Sequence, residues 1–226
     1  MLTPPSAFPG GTTRRALVAG GLTLATGLAR AAPLPVPPSR QMMFQVSRNG
    51  SVIGTHRFAF ESDANTLLVT ITVEMAVGLG PIAFYRYRHN AVERWSSGSF
   101  ASIEARTDDN GARHVVTAIA GAKGVALTWD ATPPRIVPTG ALPATHWNRQ
   151  MLTGPLINTQ TGEVMQPIIT SLGIERIVNA AGAPIDAEHL TLRGEPNIDT
   201  WYDASPGWAG LRAKVKDGSD ILYRRV

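Results

Sequence analysis

The chain of 226 residues is predicted to form an antiparallel all-β domain of about ten strands, with one or two short helices. Two observations predict this fold. Apolar and polar residues alternate over most of the chain from Gln41 onward, and turn sequences rich in glycine separate the alternating runs. Because so many hairpin-linked strands seldom stay flat, we expect the sheet to curve into a closed or half-open barrel.

The first hairpin is marked by Asn49-Gly50, a pair that accepts the positive φ angles of a two-residue type I′ turn. A second hairpin is predicted around residues 109–111 and a last one at Asp217-Gly218. Side chains of a strand alternate between its two faces. The residues expected to share the inward face of the first strands are Phe44, Val46, Val52, Phe58, Phe60, Leu67, Val69, Ile71, Val73 and Met75.

The middle of the chain has a different pattern. Residues 130–147 contain four prolines, which predicts a loop. A short helix is expected after it, with Thr145 as the N-cap and Gly154 just past the end. Alternation then returns and continues to the C-terminus.

Residues 1–31 are predicted to be a signal peptide. Arg14-Arg15 precede a run of 13 uncharged residues, and Ala29-Arg30-Ala31 has the small residues that signal peptidase requires. The paired arginines favour a twin-arginine signal, which would make the twin-arginine translocase a partner and the periplasm the destination. An ordinary secretion signal is the alternative. Residues 32–40 are predicted to be a Pro-rich tether, and 41–226 a single β domain.

Charge and composition exclude several functions. The chain has 21 lysines and arginines against 17 acids, and the predicted signal peptide removes three arginines and no acid. The remaining chain has nearly equal numbers of cationic and acidic residues, so it has no surplus of positive charge for binding nucleic acid. There is no cysteine, so disulfides and thiolate chemistry are excluded. No second apolar run is long enough for a transmembrane helix in the mature protein.

No motif for a cofactor or metal is convincing, and neither is expected. Gly78, Gly80 and Ala83 match a dinucleotide fingerprint, but the residues that follow favour a strand where that motif requires a helix, so a glycine hairpin is predicted. The five histidines have no spacing typical of metal ligands. A catalytic triad of distant residues is not excluded by the sequence.

Candidate binding residues come from strand faces and from one loop. In residues 84–90, the alternation places Tyr85, Tyr87 and His89 on one face and Arg86 and Arg88 on the other, where we expect water or acids such as Glu74 and Glu104. His56 lies on a predicted inward face, either as a core residue or in a cavity, and Trp147 is either a plug or a cavity residue. The candidate ligand-binding residues are Tyr85, Tyr87, His89, His56, Phe58, Phe60, Trp147 and His146.

Three segments together resemble a group of uncharacterised exported bacterial proteins. They are "NGSVIGTHRF", "ERWSSGSFASIEARTDDNG" and "IDTWYDASPGWAGLRAKVKDGSDILYR". The resemblance covers nearly the whole chain after the predicted signal peptide. It implies a fold similar to the lipoprotein-carrier half-barrel, a strongly curved antiparallel sheet around an apolar interior, and it supplies no catalytic residues.

Three functions follow from these observations. The first is a periplasmic binding or carrier module for an apolar or amphipathic ligand such as a lipid, since barrel interiors commonly hold such molecules. The second is an envelope structural or assembly factor without a small ligand. The third is a hydrolase or isomerase that uses His146 and Asp199, with His89 as a further candidate, which would require these residues to meet in one pocket.

Overall fold

The computed structural model describes residues 33–79, 82–204 and 207–226. The predicted signal peptide and Gly80 of the predicted glycine hairpin lie outside the described residues. Those described belong to one compact unit. In the first described segment, the side chains of Leu34 and Val36 pack against the core.

The described part of the chain contains sixteen strands and one 3-10 helix, η1 (Arg149–Thr153). The strands are β1 (Gln41–Arg48), β2 (Ser51–Ser62), β3 (Thr66–Leu79), β4 (Ile82–Ser96), β5 (Ser99–Asp109), β6 (Ala112–Gly121), β7 (Gly124–Trp129), β8 (Arg135–Val137), β9 (Leu142–Pro143), β10 (Leu156–Ile157), β11 (Val164–Met165), β12 (Ile168–Val178), β13 (Pro184–Arg193), β14 (Ile198–Tyr202), β15 (Trp208–Lys214) and β16 (Asp220–Arg225).

Thirteen strands form one antiparallel sheet in the order β12-β13-β14-β15-β16-β1-β2-β3-β4-β5-β6-β7-β8. Consecutive strands are neighbours throughout, and the last strand, β16, pairs with the first, β1. Within the described ranges the edge strands β12 and β8 do not pair with each other, so the sheet is not closed. The predicted antiparallel all-β fold is confirmed, with more strands than the ten expected.

The Pro-rich middle of the chain departs from the predicted loop and helix. It contributes β8 and β9, and β9 joins β10 and β11 in a small second sheet where β9 and β10 are parallel. The helix is only the 3-10 turn η1, and its N-cap is Asn148, whose side chain accepts a hydrogen bond from the Gln150 amide. Thr145 cannot cap it because His146 has a φ of 69°, which no right-handed helix contains. Gly154 follows the helix as predicted.

The first hairpin confirms one prediction and corrects another. Asn49 and Gly50 have φ angles of 48° and 83°, as a type I′ turn requires. The pairing of β1 with β2 then shifts by one residue, because Val46 is opposite Gly54 while Ser47 is opposite Val52. This bulge reverses the alternation. Val52 is therefore 59% exposed rather than inward.

Cross-strand register arranges the inward side chains of β2 to β5 in rows. One row, which we call the histidine row, consists of His56, Val73, His89 and Thr107, each directly opposite the next. On the side of the row away from the β1–β2 turn, the interior is filled. The buried residues of this packed half include Phe58, Phe60, Leu67, Val69, Ala91, Trp95, Ile103 and Trp147.

The packed half is closed by residues 141–165, which we call the crossing segment. Its Trp147 is fully buried and lies against Phe60 and Trp95, with ring centroids 5.4 and 5.6 Å apart. The carboxylate of Glu93, also fully buried, accepts hydrogen bonds from the indole Nε1 of Trp95 at 2.8 Å and of Trp147 at 3.0 Å, both on Oε2. Burial raises the pKa of Glu93, and hydrogen bonds from Thr145, Trp95 and Trp147 partly offset this.

We expect Glu93→Leu to lower the free energy of unfolding by about 2 kcal/mol or more, because two buried indole N–H groups would lose their acceptor. Glu93→Gln keeps an amide oxygen for both indoles and should cost less than about 1 kcal/mol. Urea denaturation of the three proteins measures the difference. Equal losses for the two variants would contradict a hydrogen-bonding role for this side chain.

Candidate functional site

A cavity of about 800 Å³ occupies the other half of the interior, between the histidine row and the end of the sheet where the β1–β2 turn lies. Antiparallel neighbours place the turns after β1, β3, β5 and β15 at this same end. Most of the lining residues are aliphatic or aromatic. The aliphatic and methionine side chains that line it are Ile53, Ile71, Val73, Met75, Val77, Ala144, Leu211, Ala213, Val215 and Ile221.

The floor of the cavity carries three histidines. His56 and His89 belong to the histidine row, two strands apart and thus separated by about 10 Å. His146 comes from the crossing segment and stacks on Trp208, with ring centroids 5.1 Å apart. His56 meets the same indole edge-on at 5.5 Å and stacks on Phe58 at 4.4 Å. Two imidazoles therefore flank one buried tryptophan.

The three histidines differ in their hydrogen bonds. The Nδ1 of His89 is 2.9 Å from the Thr107 hydroxyl, and its Nε2 is 3.4 Å from the Thr159 hydroxyl. By contrast, Nε2 of His56 and Nδ1 of His146 are buried and have no hydrogen-bond partner among the described residues. His89 is thus satisfied by the protein, whereas the other two rings retain unused polar capacity.

Burial keeps all three imidazoles neutral. It lowers the pKa of His89 and of His146 to about 4. For His56, burial lowers the pKa well below its ordinary value, and the nearby His146 and His89 lower it further. The floor of the cavity is therefore polar but uncharged at neutral pH.

Three tyrosines line the wall above the floor. Tyr87 and Tyr85 follow His89 toward the mouth on the same face of β4, and Tyr223 comes from β16. Burial raises the pKa of Tyr85 and of Tyr223 to about 12, with a hydrogen bond to Asp109 adding to the effect at Tyr85. Burial also raises the pKa of Tyr87. All three remain neutral phenols.

Charged groups occur at the mouth. Arg48 forms an ion pair with Asp217, and Lys216 and Asp109 are the other charged residues that line the cavity. All four lie at strand ends or in the turn between β15 and β16. The lining thus contains two cations and two carboxylates, which balance.

Five of the eight predicted binding residues line this cavity. They are Tyr85, Tyr87, His89, His56 and His146. The other three, Phe58, Phe60 and Trp147, are at most 2% exposed and belong to the packed half beneath the floor. Phe58 and Phe60 are on the predicted face of β2 but lie too far along it to reach the open space, and Trp147 lies in the crossing segment between β9 and η1.

Two arginines of β4 point away from the cavity, as the alternation predicts. Arg86 and Arg88 are exposed on the opposite face of β4, and Arg88 lies 3.9 Å from Glu74, as expected. Glu104 pairs with Arg106 instead, because these two residues point to the same face of β5.

Asp199 and His146 do not meet. Asp199 lies in a different groove on the outer face, where Arg193 and Arg212 donate to its two carboxylate oxygens at 2.6 and 2.7 Å. Burial acts to raise the pKa of Asp199, but the two arginines outweigh it and the pKa is lowered. His146 lines the inner cavity. The two residues therefore form no common catalytic site.

Several cavity residues were not predicted. Trp208, Tyr223 and Leu211 come from β15 and β16, which reach the cavity only because β16 pairs with β1. Thr159 comes from the crossing segment. Within the described ranges, no group of three or more histidine, aspartate or glutamate side chains is arranged to hold a metal ion. No helix of those ranges has the length and hydropathy to cross a membrane.

These features define an antiparallel, barrel-like β protein with an interior cavity. The chain belongs to the family described as domain of unknown function DUF6134, whose model matches residues 44–226. This confirms the resemblance to an uncharacterised family. No curated protein matches the chain.

A solved structure supports the same fold. It is the crystal structure of a beta-barrel-like protein of the domain of unknown function DUF1849 from Brucella abortus. The match covers 82% of this chain and 94% of the Brucella abortus chain. The TM-score is 0.57 and the sequence identity is 6%. At this identity the similarity shows the fold alone, and it agrees with the predicted barrel-like architecture.

The buried histidines predict how stability depends on pH. A histidine whose pKa is lower in the folded than in the unfolded state stabilises the fold least at acid pH, because the unfolded chain then binds more protons. For His89 the window lies between the ordinary value of 6.5 and about 4. In this pH range, His89→Gln should reduce the rise of the free energy of unfolding with pH by about 1.4 kcal/mol per pH unit.

Urea denaturation at several pH values measures this slope. The raised pKa of Glu93 acts in the opposite sense, since its contribution is lost as the pH rises, but it is present in both proteins and cancels in the comparison. An unchanged slope in His89→Gln would show that His89 titrates normally in the folded state.

Proposed function

We propose that this chain is an exported periplasmic protein that binds or carries an apolar or amphipathic small molecule. The observation that supports this most directly is the cavity. Its volume of about 800 Å³ is within the range of about 300–1,000 Å³ that is typical of small-molecule sites. Its wall is mainly aliphatic and aromatic, with a few polar groups at defined positions, which is the usual composition of such sites.

The location of the polar groups favours binding over catalysis. The hydroxyls and imidazoles are spread from Tyr85 at the mouth to His56 at the floor, and aliphatic side chains of β3 and β15 share the lining with them. In the described ranges no carboxylate pairs with His146, the candidate base, and Asp199 is bound by arginines on the outer face. A ligand that needs both apolar contact and a few hydrogen bonds fits this arrangement.

An assembly factor without a small ligand is the second candidate, and one feature favours it. The edge strand β12 has 11 residues, and three of its apolar side chains, Ile168, Leu172 and Ile174, are 60% exposed or more. An exposed edge of this kind can pair with another chain. This function gives no role to the hollow half of the interior, so we prefer ligand binding.

A substitution that fills the cavity should abolish binding. Ala213 lies on the cavity wall, and Ala213→Phe places a ring in the space that a ligand would use. We expect the neutral fluorophore N-phenyl-1-naphthylamine to bind the unmodified protein with increased emission, and Ala213→Phe to weaken this binding at least tenfold. Fluorescence titration measures both.

Ala76→Phe is the matched control, because Ala76 is exposed on the outer face of β3 between two cavity residues. It should bind the fluorophore as the unmodified protein does. Native mass spectrometry of protein recovered from the periplasmic fraction tests the proposal further, and a bound mass of a few hundred daltons is expected. Absence of the protein from that fraction would refute export, and equal titrations for the two variants would refute binding in this cavity.

A further inference from the structure

We propose that the ligand of this cavity is uncharged at its buried end and places a hydroxyl or carbonyl oxygen against the imidazoles of His56 and His146. This inference rests on the proposed binding function and specifies the chemical class of the ligand. It has three independent supports, which are the unused hydrogen-bonding groups of the floor, the placement of charge and the length of the cavity.

The first support is the pair of unsatisfied rings. A neutral imidazole has one N–H donor and one nitrogen acceptor. His56 is only 7% exposed, and neither its Nε2 nor the buried Nδ1 of His146 has a hydrogen-bond partner in the part of the chain that the structure describes. A buried polar group without a hydrogen bond costs about 1–3 kcal/mol. Of the three histidines at the floor, His89 has threonine partners on both sides, so only the two rings beside Trp208 keep a buried nitrogen without a partner among the described residues.

The second support is the distribution of charge. Every charged side chain that lines the cavity lies at the mouth, where Arg48 is already paired with Asp217. The floor has only neutral imidazoles and the threonine hydroxyls of the crossing segment. A carboxylate or phosphate at the floor would be buried without a counter-charge, which is strongly unfavourable. An anionic head group is therefore expected only at the mouth.

The third support is the cavity's length. Tyr85 and His89 are four residues apart on one strand, so the wall from mouth to floor measures about 13 Å. Aliphatic side chains from β3 and β15 line this distance. The cavity thus fits an extended chain of roughly ten carbons, whose oxygen reaches the histidines while the far end remains near Tyr85.

Two chain-matched probes test the inference. 1-Decanol can place its hydroxyl at the floor, whereas decanoate must leave its carboxylate at the mouth. Both are titrated against protein loaded with N-phenyl-1-naphthylamine, and the displacement constants are compared between the unmodified protein and His56→Phe. We expect His56→Phe to weaken 1-decanol five- to tenfold and to change decanoate less than twofold. His56→Gln, which retains a hydrogen-bonding amide, should preserve 1-decanol binding.

The outcomes separate this inference from the proposed function. If the fluorophore does not bind the unmodified protein, the proposed function fails. If it binds and both probes displace it, but His56→Phe affects neither or affects decanoate more, only the inference on the ligand's buried end fails. Thermal melting checks that His56→Phe folds, as its aromatic neighbours Phe58, Trp208 and Tyr223 predict. His146→Phe provides the same comparison from the second ring.

Discussion

The two hydrogen bonds that Glu93 accepts from Trp95 and Trp147 fix the division of the interior. A fully buried carboxyl group is costly unless it accepts hydrogen bonds. Glu93 therefore depends on Trp147 of the crossing segment as a donor, and the buried indole of Trp147 depends on Glu93 as an acceptor. With Trp147 held under the histidine row, one half of the interior is filled and the other is left open. The neighbouring His146 then extends into the floor of the open half.

A second set of contacts positions the floor of the cavity. Trp208 is fully buried, and its indole Nε1 donates to the Thr200 hydroxyl at 3.1 Å. The rings of His146 and His56 both pack against this indole. The hydroxyl of Tyr202 donates to the carbonyl of His146 at 2.9 Å. His146 is held in the left-handed region by these neighbours, so its ring position is set by packing on both sides. A preorganised floor of this kind favours a ligand of defined shape.

Local pattern predicts the strands well and long-range pairing poorly. The alternation in β1, β3 and β4 correctly places Phe44, Val69, Tyr87 and their neighbours inward, because a period of two needs no tertiary information. Val52 fails because a bulge adds one residue to β2. Glu93 and Trp147 are 54 positions apart, and no local signal joins them. The strands β15 and β16 likewise reach the cavity only through the pairing of the two chain ends.

We propose that the hollow half of the interior above the histidine row receives a ligand with its oxygen innermost. A crystal structure of the protein soaked with 10-bromodecan-1-ol tests this directly, because anomalous scattering locates the bromine. We predict a single bromine peak at the mouth, near Tyr85 and Lys216, with the hydroxyl against His56 and His146. A bromine peak at the histidine row, or a cavity filled by repacked side chains with no bromine inside, would contradict it.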